Sequence, residues 1–158
     1  MEVAAALPLI DEHEVAVDAS ADEVWPFVIA GFTRLTIRAP WRAFAKAIRA
    51  EPDRAGGDPT TIGATVPGFR VVRCVPPTEW GLEGRHLFSR YGLTFRIVPL
   101  DGGRCRVTAE SRAEFPGPHG TVYRALVIGT GGHVVGVRGI LQSIKREAER
   151  SRSEQARA

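Results

Sequence analysis

The chain has 158 residues, 44% apolar and 25% charged, which suits one soluble globular domain with a core that needs no metal or disulfide staple. Its net charge of +3 is almost wholly arginine, with Lys46 and Lys145 the only lysines; beside abundant Ala, Gly and Pro this reads as coding bias rather than a nucleic-acid surface. Cys74 and Cys105 show no metal-ligand spacing or disulfide framework, the N-terminus has no basic leader, and the apolar run Ala125 to Val137 is too short to span a bilayer, so a cytoplasmic protein with no cofactor, no nucleic-acid partner and no membrane insertion is expected.

Residues 1–10 read as a loose lead-in, 11–150 as a single domain and 151–158 as a frayed tail. His13, Val15 and Val17 alternate onto one face of a first strand. Ser20-Ala21-Asp22-Glu23 has the spacing of a capping box, followed by a short helix that Pro26 kinks or shortens. Pro40 suits the first turn of a second helix, with Trp41, Phe44, Ala45 and Ile48 on its apolar face. Arg34, Arg38, Arg42 and Lys46 recur every four residues, but Pro40 breaks the basic stripe they would form. Residues 51–63, rich in Gly, Pro, Asp and Thr, form a surface loop.

From about Phe69 to Phe115 the pattern has period two and predicts an antiparallel sheet. Trp80, Leu82, His86 and Phe88 share one strand face, and Tyr91, Leu93, Phe95 and Ile97 share the next. Pairing Phe88 with Tyr91 sets Leu82 opposite Ile97, Glu83 opposite Arg96, and Gly84 under the Phe95 ring. A three-residue loop at Asp101-Gly102-Gly103 then sets Ile97 opposite Val107, Phe95 opposite Ala109 and Leu93 opposite Ser111.

Gly117 to Arg150 carries a helical stripe through Tyr123, Leu126, Val127, Val134, Val137, Leu141, Ile144 and Ala148. Gly129, Gly132, Gly136 and Gly139 fall on one helical face, each costing roughly 1 kcal/mol relative to alanine. Two readings stand: close approach by another segment or a second subunit, giving a homodimer, or a simple break at Gly129-Thr130-Gly131-Gly132.

The order of strand, two short helices, meander and long amphipathic helix resembles the α+β helix-grip fold of the START-like (SRPBCC) superfamily, which includes polyketide cyclases/dehydratases and the birch-pollen allergen. The resemblance rests on the His13–Asp18 strand, the Ser20–Trp25 turn into helix and the Leu141–Glu149 close. It implies a curved sheet wrapped on the last helix, with an apolar or aromatic small molecule held between them. Some members are enzymes and others only bind, so a cyclase/dehydratase-type enzyme and a noncatalytic dimerising module remain alternatives.

His86 is the leading titratable candidate: a neutral imidazole on the inner face serves as general base or hydrogen-bonds a carbonyl, unless water or backbone simply satisfies it at the sheet edge. Tyr91 and Ser111 share its face and complete the candidate catalytic group. The expected ligand wall comprises Trp41, Trp80, Leu82, Phe88, Leu93, Phe95, Val107, Tyr123, Val127 and His133. Arg73 joins it and meets a ligand carboxylate if the Phe69-Val71-Val75 parity points inward, and is a solvated surface residue if that strand is reversed or bulged. No other histidine stands at zinc-like spacing from His133, so no metal is expected.

Overall fold

The structure, a computed structural model, describes residues 7–158, so the first six residues of the expected lead-in lie outside the described residues. Strand β1 (Leu9–Val17) leads into helices α1 (Ala21–Ile37) and α2 (Ala39–Ala47). A meander follows: β2 (Thr65–Val66), β3 (Phe69–Val75), β4 (Glu79–His86), β5 (Ser89–Leu100) and β6 (Arg104–Glu114). Helices α3 (Gly117–Val127) and α4 (Gly132–Arg157) close the chain. The six strands form one curved antiparallel sheet in the order β1-β6-β5-β4-β3-β2, a helix-grip α+β fold.

β1 begins at Leu9, earlier than expected, with a bulge between Leu9 and Asp11. The capping box forms: the Ser20 hydroxyl accepts from the Glu23 amide, and the Glu23 carboxylate accepts from the Ser20 amide. α1 runs 17 residues through Pro26 and buries Val24, Val28, Ile29 and Phe32. It ends at Arg38, which also caps α2, so the basic stripe is broken.

The β5–β6 hairpin has the expected register, with Ile97 opposite Val107 and Leu93 opposite Ser111. Gly102 and Gly103, both at positive φ, turn the three-residue loop. The β4–β5 hairpin keeps the expected faces but pairs differently. Its turn is Leu87-Phe88, so His86 meets Ser89, Gly84 meets Tyr91, Leu82 meets Leu93 and Glu79 meets Arg96. Shifting the turn by two residues conserves side-chain parity, so face alternation alone does not choose between these registers. The observed one stacks Trp80 on Phe95, with ring centroids 6.1 Å apart. It also completes an outer-face chain of ion pairs from Arg73 through Glu79, Arg96 and Glu110 to Arg112. Each exposed link in such a chain contributes only about 0–1 kcal/mol.

The last helical segment is broken: Gly131, at φ +76°, starts α4. Added Cβ atoms at Gly136 and Gly139 would meet nothing within 4 Å, so neither glycine accommodates a close approach within this chain. α4 buries Val137, Leu141, Ile144 and Ala148. Its outer residues are tied to the start of the fold: Lys145 donates to the Ala16 carbonyl, Glu149 accepts from the Asp18 amide, and Arg34 pairs with Glu147. The expected tail is helical to Arg157, and Arg152 donates to the Asp18 and Gly103 carbonyls.

Candidate functional site

Between the inner sheet face and helices α1 to α4 lies an apolar cavity of about 370 Å³. Of the expected site residues, His86, Tyr91, Ser111, Trp41, Leu93, Tyr123, Val127 and His133 line it. Trp80, Leu82, Phe95 and Val107 face the same side but are fully buried in the core beyond it. Phe88 sits in the β4–β5 turn and stacks on Tyr123 at 5.2 Å. Arg73 is displaced by a bulge between Val71 and Arg73, which turns it outward to pair with Glu79 at 2.9 Å. A wider, open groove of about 590 Å³ lies near Glu51, Asp53, Arg70, Glu83, Arg85 and Arg90. Its mixed charges and broad opening make it a solvated cleft, whereas the smaller cavity has the apolar wall and sparse polar groups of a ligand pocket.

Several lining residues lie outside the expected set: Phe32, Leu35 and Thr36 on α1, Ala113 and Phe115 after Ser111, and Val137 and Ile140 on α4. The α1 group is legible in principle, since the steps from Val28 to Phe32, Leu35 and Thr36 continue one helical face. Asp11 lies just outside the lining and reaches it through His133, 3.3 Å away. It has the parity of His13, Val15 and Val17, and a carboxylate on such a face is a signal in itself.

The polar groups differ in what they offer. Tyr91 already donates to the Gly68 carbonyl at 2.7 Å, and burial pushes its phenol pKa upward, so it stays protonated and engaged. His86 packs among Phe88, Tyr91 and Tyr123. Its Nδ1 accepts from the Phe88 amide at 3.1 Å, which puts the neutral ring's proton on Nε2. Burial pushes its pKa down from 6.5 to about 4, so near neutral pH it offers a hydrogen-bond donor. Ser111 is 4% exposed, and its hydroxyl oxygen has no hydrogen-bond partner. His133 Nε2 lies 3.3 Å from one Asp11 carboxylate oxygen, and His13 Nε2 lies 3.3 Å from the other. Among the described residues, no group of three His, Cys, Asp or Glu side chains is arranged to hold a metal ion.

The His86 shift has a testable sign. Between pH 6.5 and 4 the unfolded chain takes up a proton that the native ring does not, so stability falls as pH falls through that window. After allowance for the half-exposed ring, the loss is about 1–2 kcal/mol. Urea unfolding of the parent and of His86→Phe across this window checks it; equal acid losses would exclude the effect.

A curved sheet gripping a long helix around an apolar cavity defines a START-like, ligand-binding class of fold. The chain belongs to the polyketide cyclase / dehydrase and lipid transport family, whose profile matches residues 12–149. Among solved structures, it resembles a Thalictrum flavum norcoclaurine synthase point mutant in complex with a transition-state analogue, at 16% identity and TM-score 0.57, covering 90% of this chain and 94% of that one. It also resembles a Thermobifida fusca protein, at 20% identity and TM-score 0.52, covering 85% and 92%, respectively. A conserved Geobacillus kaustophilus protein aligns at 15% identity and TM-score 0.51, covering 89% and 95%. At these identities the structural likenesses establish the fold alone. Comparison with curated proteins finds no match. No described helix is long and apolar enough to cross a membrane.

Proposed function

We propose that the protein binds an apolar or aromatic small molecule in the cavity between the sheet and the C-terminal helices. The observation that carries this reading is the apolar cavity with a buried, unpartnered Ser111 hydroxyl in its wall. An unpaired buried hydroxyl costs free energy that a bound polar atom recovers. Aromatic rings from Trp41, Phe69, Tyr91, Phe115 and Tyr123 favour a planar ligand. N-phenylnaphthylamine, a neutral fluorophore, is expected to bind saturably. Gly136 lines the cavity and has open space at its Cβ position, so Gly136→Phe should narrow the site and weaken binding about tenfold, a loss of about 1.4 kcal/mol. The helix should survive, since phenylalanine is a better helix residue than glycine. Fluorescence titration checks both expectations; no saturable binding to the parent protein would overturn the reading.

A second reading is a cyclase- or dehydratase-type enzyme. It is supported by two histidines in an apolar wall, where water is scarce and proton positions are defined by hydrogen bonds. Turnover of a co-purified ligand, followed by mass spectrometry and lost in His86→Phe, would distinguish it from carriage alone.

A further inference from the structure

Across the inner sheet face, His86 on β4 stands three strands away from Asp11 on β1. The cavity therefore carries two separate polar sites. At the β1 side, the bulge places Ile10 in the cavity wall and Asp11 within reach of His133 at the start of α4. Asp11 is the cross-strand partner of Ser111. One carboxylate, one imidazole and one unpartnered hydroxyl thus converge where β1, β6 and α4 meet.

The hydrogen bonds assign roles. His133 directs Nε2 to Asp11, so its neutral ring carries the proton there and keeps Nδ1 as an acceptor. The second Asp11 oxygen faces His13 Nε2, whose Nδ1 accepts from Arg138 Nε at 3.5 Å. From β6, Arg112 lines the cavity, with its guanidinium donating to Glu110 at 2.6 Å and the Leu7 carbonyl at 2.9 Å. The charged and titratable groups linked to the dyad are therefore His13 and, through it, Arg138, while the Arg112 guanidinium is taken up by Glu110 in the outer-face chain.

We propose that Asp11, His133 and Ser111 form a subsite for an ionisable ligand hydroxyl, a phenol or an enol. The ligand O–H passes its proton to His133 Nδ1, and the electron pair remains on oxygen as a phenolate or enolate. The imidazolium is held against Asp11, and the Ser111 hydroxyl donates to the new anion. Asp11 acts through His133 and is a positioning residue. This inference rests on the cavity being a ligand site.

Two probes of the same shape separate the possibilities. Para-nitrophenol ionises and changes colour as its anion forms; para-nitroanisole, its methyl ether, does not ionise. The bound phenol is expected to ionise about one pH unit below the free phenol, a tenfold preference for the anion. The phenol-to-anisole affinity ratio should fall about tenfold in Asp11→Asn, His133→Gln and Ser111→Ala. Ser111→Ala removes a hydroxyl without a protein partner and so keeps the test open if Asp11→Asn fails to fold. If both probes bind the parent protein with no colour shift, the subsite is overturned while the cavity reading stands. If neither binds while N-phenylnaphthylamine does, the subsite alone is overturned; if none of the three binds, both readings are. Unchanged affinity ratios in the folded variants likewise remove these residues from the assignment.

Discussion

Replacing Trp80 with alanine is expected to destabilise the protein by about 3–5 kcal/mol, at the upper end for a single core truncation. Trp80 is wholly buried, lies against Phe95 and meets the edge of Phe32 at 5.8 Å. Truncation removes that packing and leaves a void bounded by strands β4 and β5 and helix α1, whose backbones are fixed by their own hydrogen bonds. The indole also donates from Nε1 to the Pro59 carbonyl at 2.9 Å, so the variant also loses one of the ties between the 51–63 loop and the sheet. Trp80→Phe separates the contributions: it retains much of the apolar volume and loses the donor, so its cost should be closer to 1–3 kcal/mol. Urea unfolding of the three proteins reads both effects. A loss below about 1 kcal/mol for alanine would mean that the core is not built around this ring.

Gly84→Ala is expected to be nearly as damaging, by about 2–4 kcal/mol, through overlap rather than a void. An added Cβ would stand 2.0 Å from the Gly68 carbonyl oxygen and 2.7 Å from Tyr91 Cε2. That carbonyl also accepts the Tyr91 hydroxyl, so relieving the overlap disturbs a hydrogen bond as well as a turn. Gly136→Ala is the control because its added methyl meets nothing within 4 Å; it should gain up to about 1 kcal/mol from helix propensity. Thermal melting of the pair tests the contrast. Similar melting temperatures would remove the close β4–turn approach as a constraint on sequence.

The regions of the fold that are legible in the sequence are those where local chemistry and hydrophobic period agree. Asp101-Gly102-Gly103 supplies two positive-φ positions, and the register on either side follows from it. Leu87-Phe88 offers neither glycine nor asparagine, so nothing local marks that turn, and the expected register differs from the observed one by two residues on each strand. Gly84 is matched with the wrong aromatic cover for the same reason: Tyr91, not Phe95, lies over it. Arg73 depends on a bulge that no Gly or Pro announces. In the site, His86, Tyr91 and Ser111 are found by strand parity and do line one cavity. Asp11 is hidden by a first strand that starts earlier than its alternation suggests, and the α1 wall by a first helix that runs on past Pro26. Both omissions concern boundaries, which depend on tertiary packing more than on local pattern.

The break between α3 and α4 leaves the two C-terminal helices with different mechanical security. α4 buries Val137, Leu141, Ile144 and Ala148 and is fastened to β1 and α1, whereas Gly120 is the sole fully buried residue of α3. Val122 and Leu126 already face solvent, so α3 is held chiefly by Tyr123, which stacks on Phe88 and meets His86 and Phe115. Yet α3 carries Tyr123 and Val127, both in the cavity wall. The break at residues 128–131 therefore sets the less buried of the two helices directly over the cavity. For a ligand bound there as proposed, exchange need not await disruption of the sheet, and its residence time follows from how firmly α3 docks.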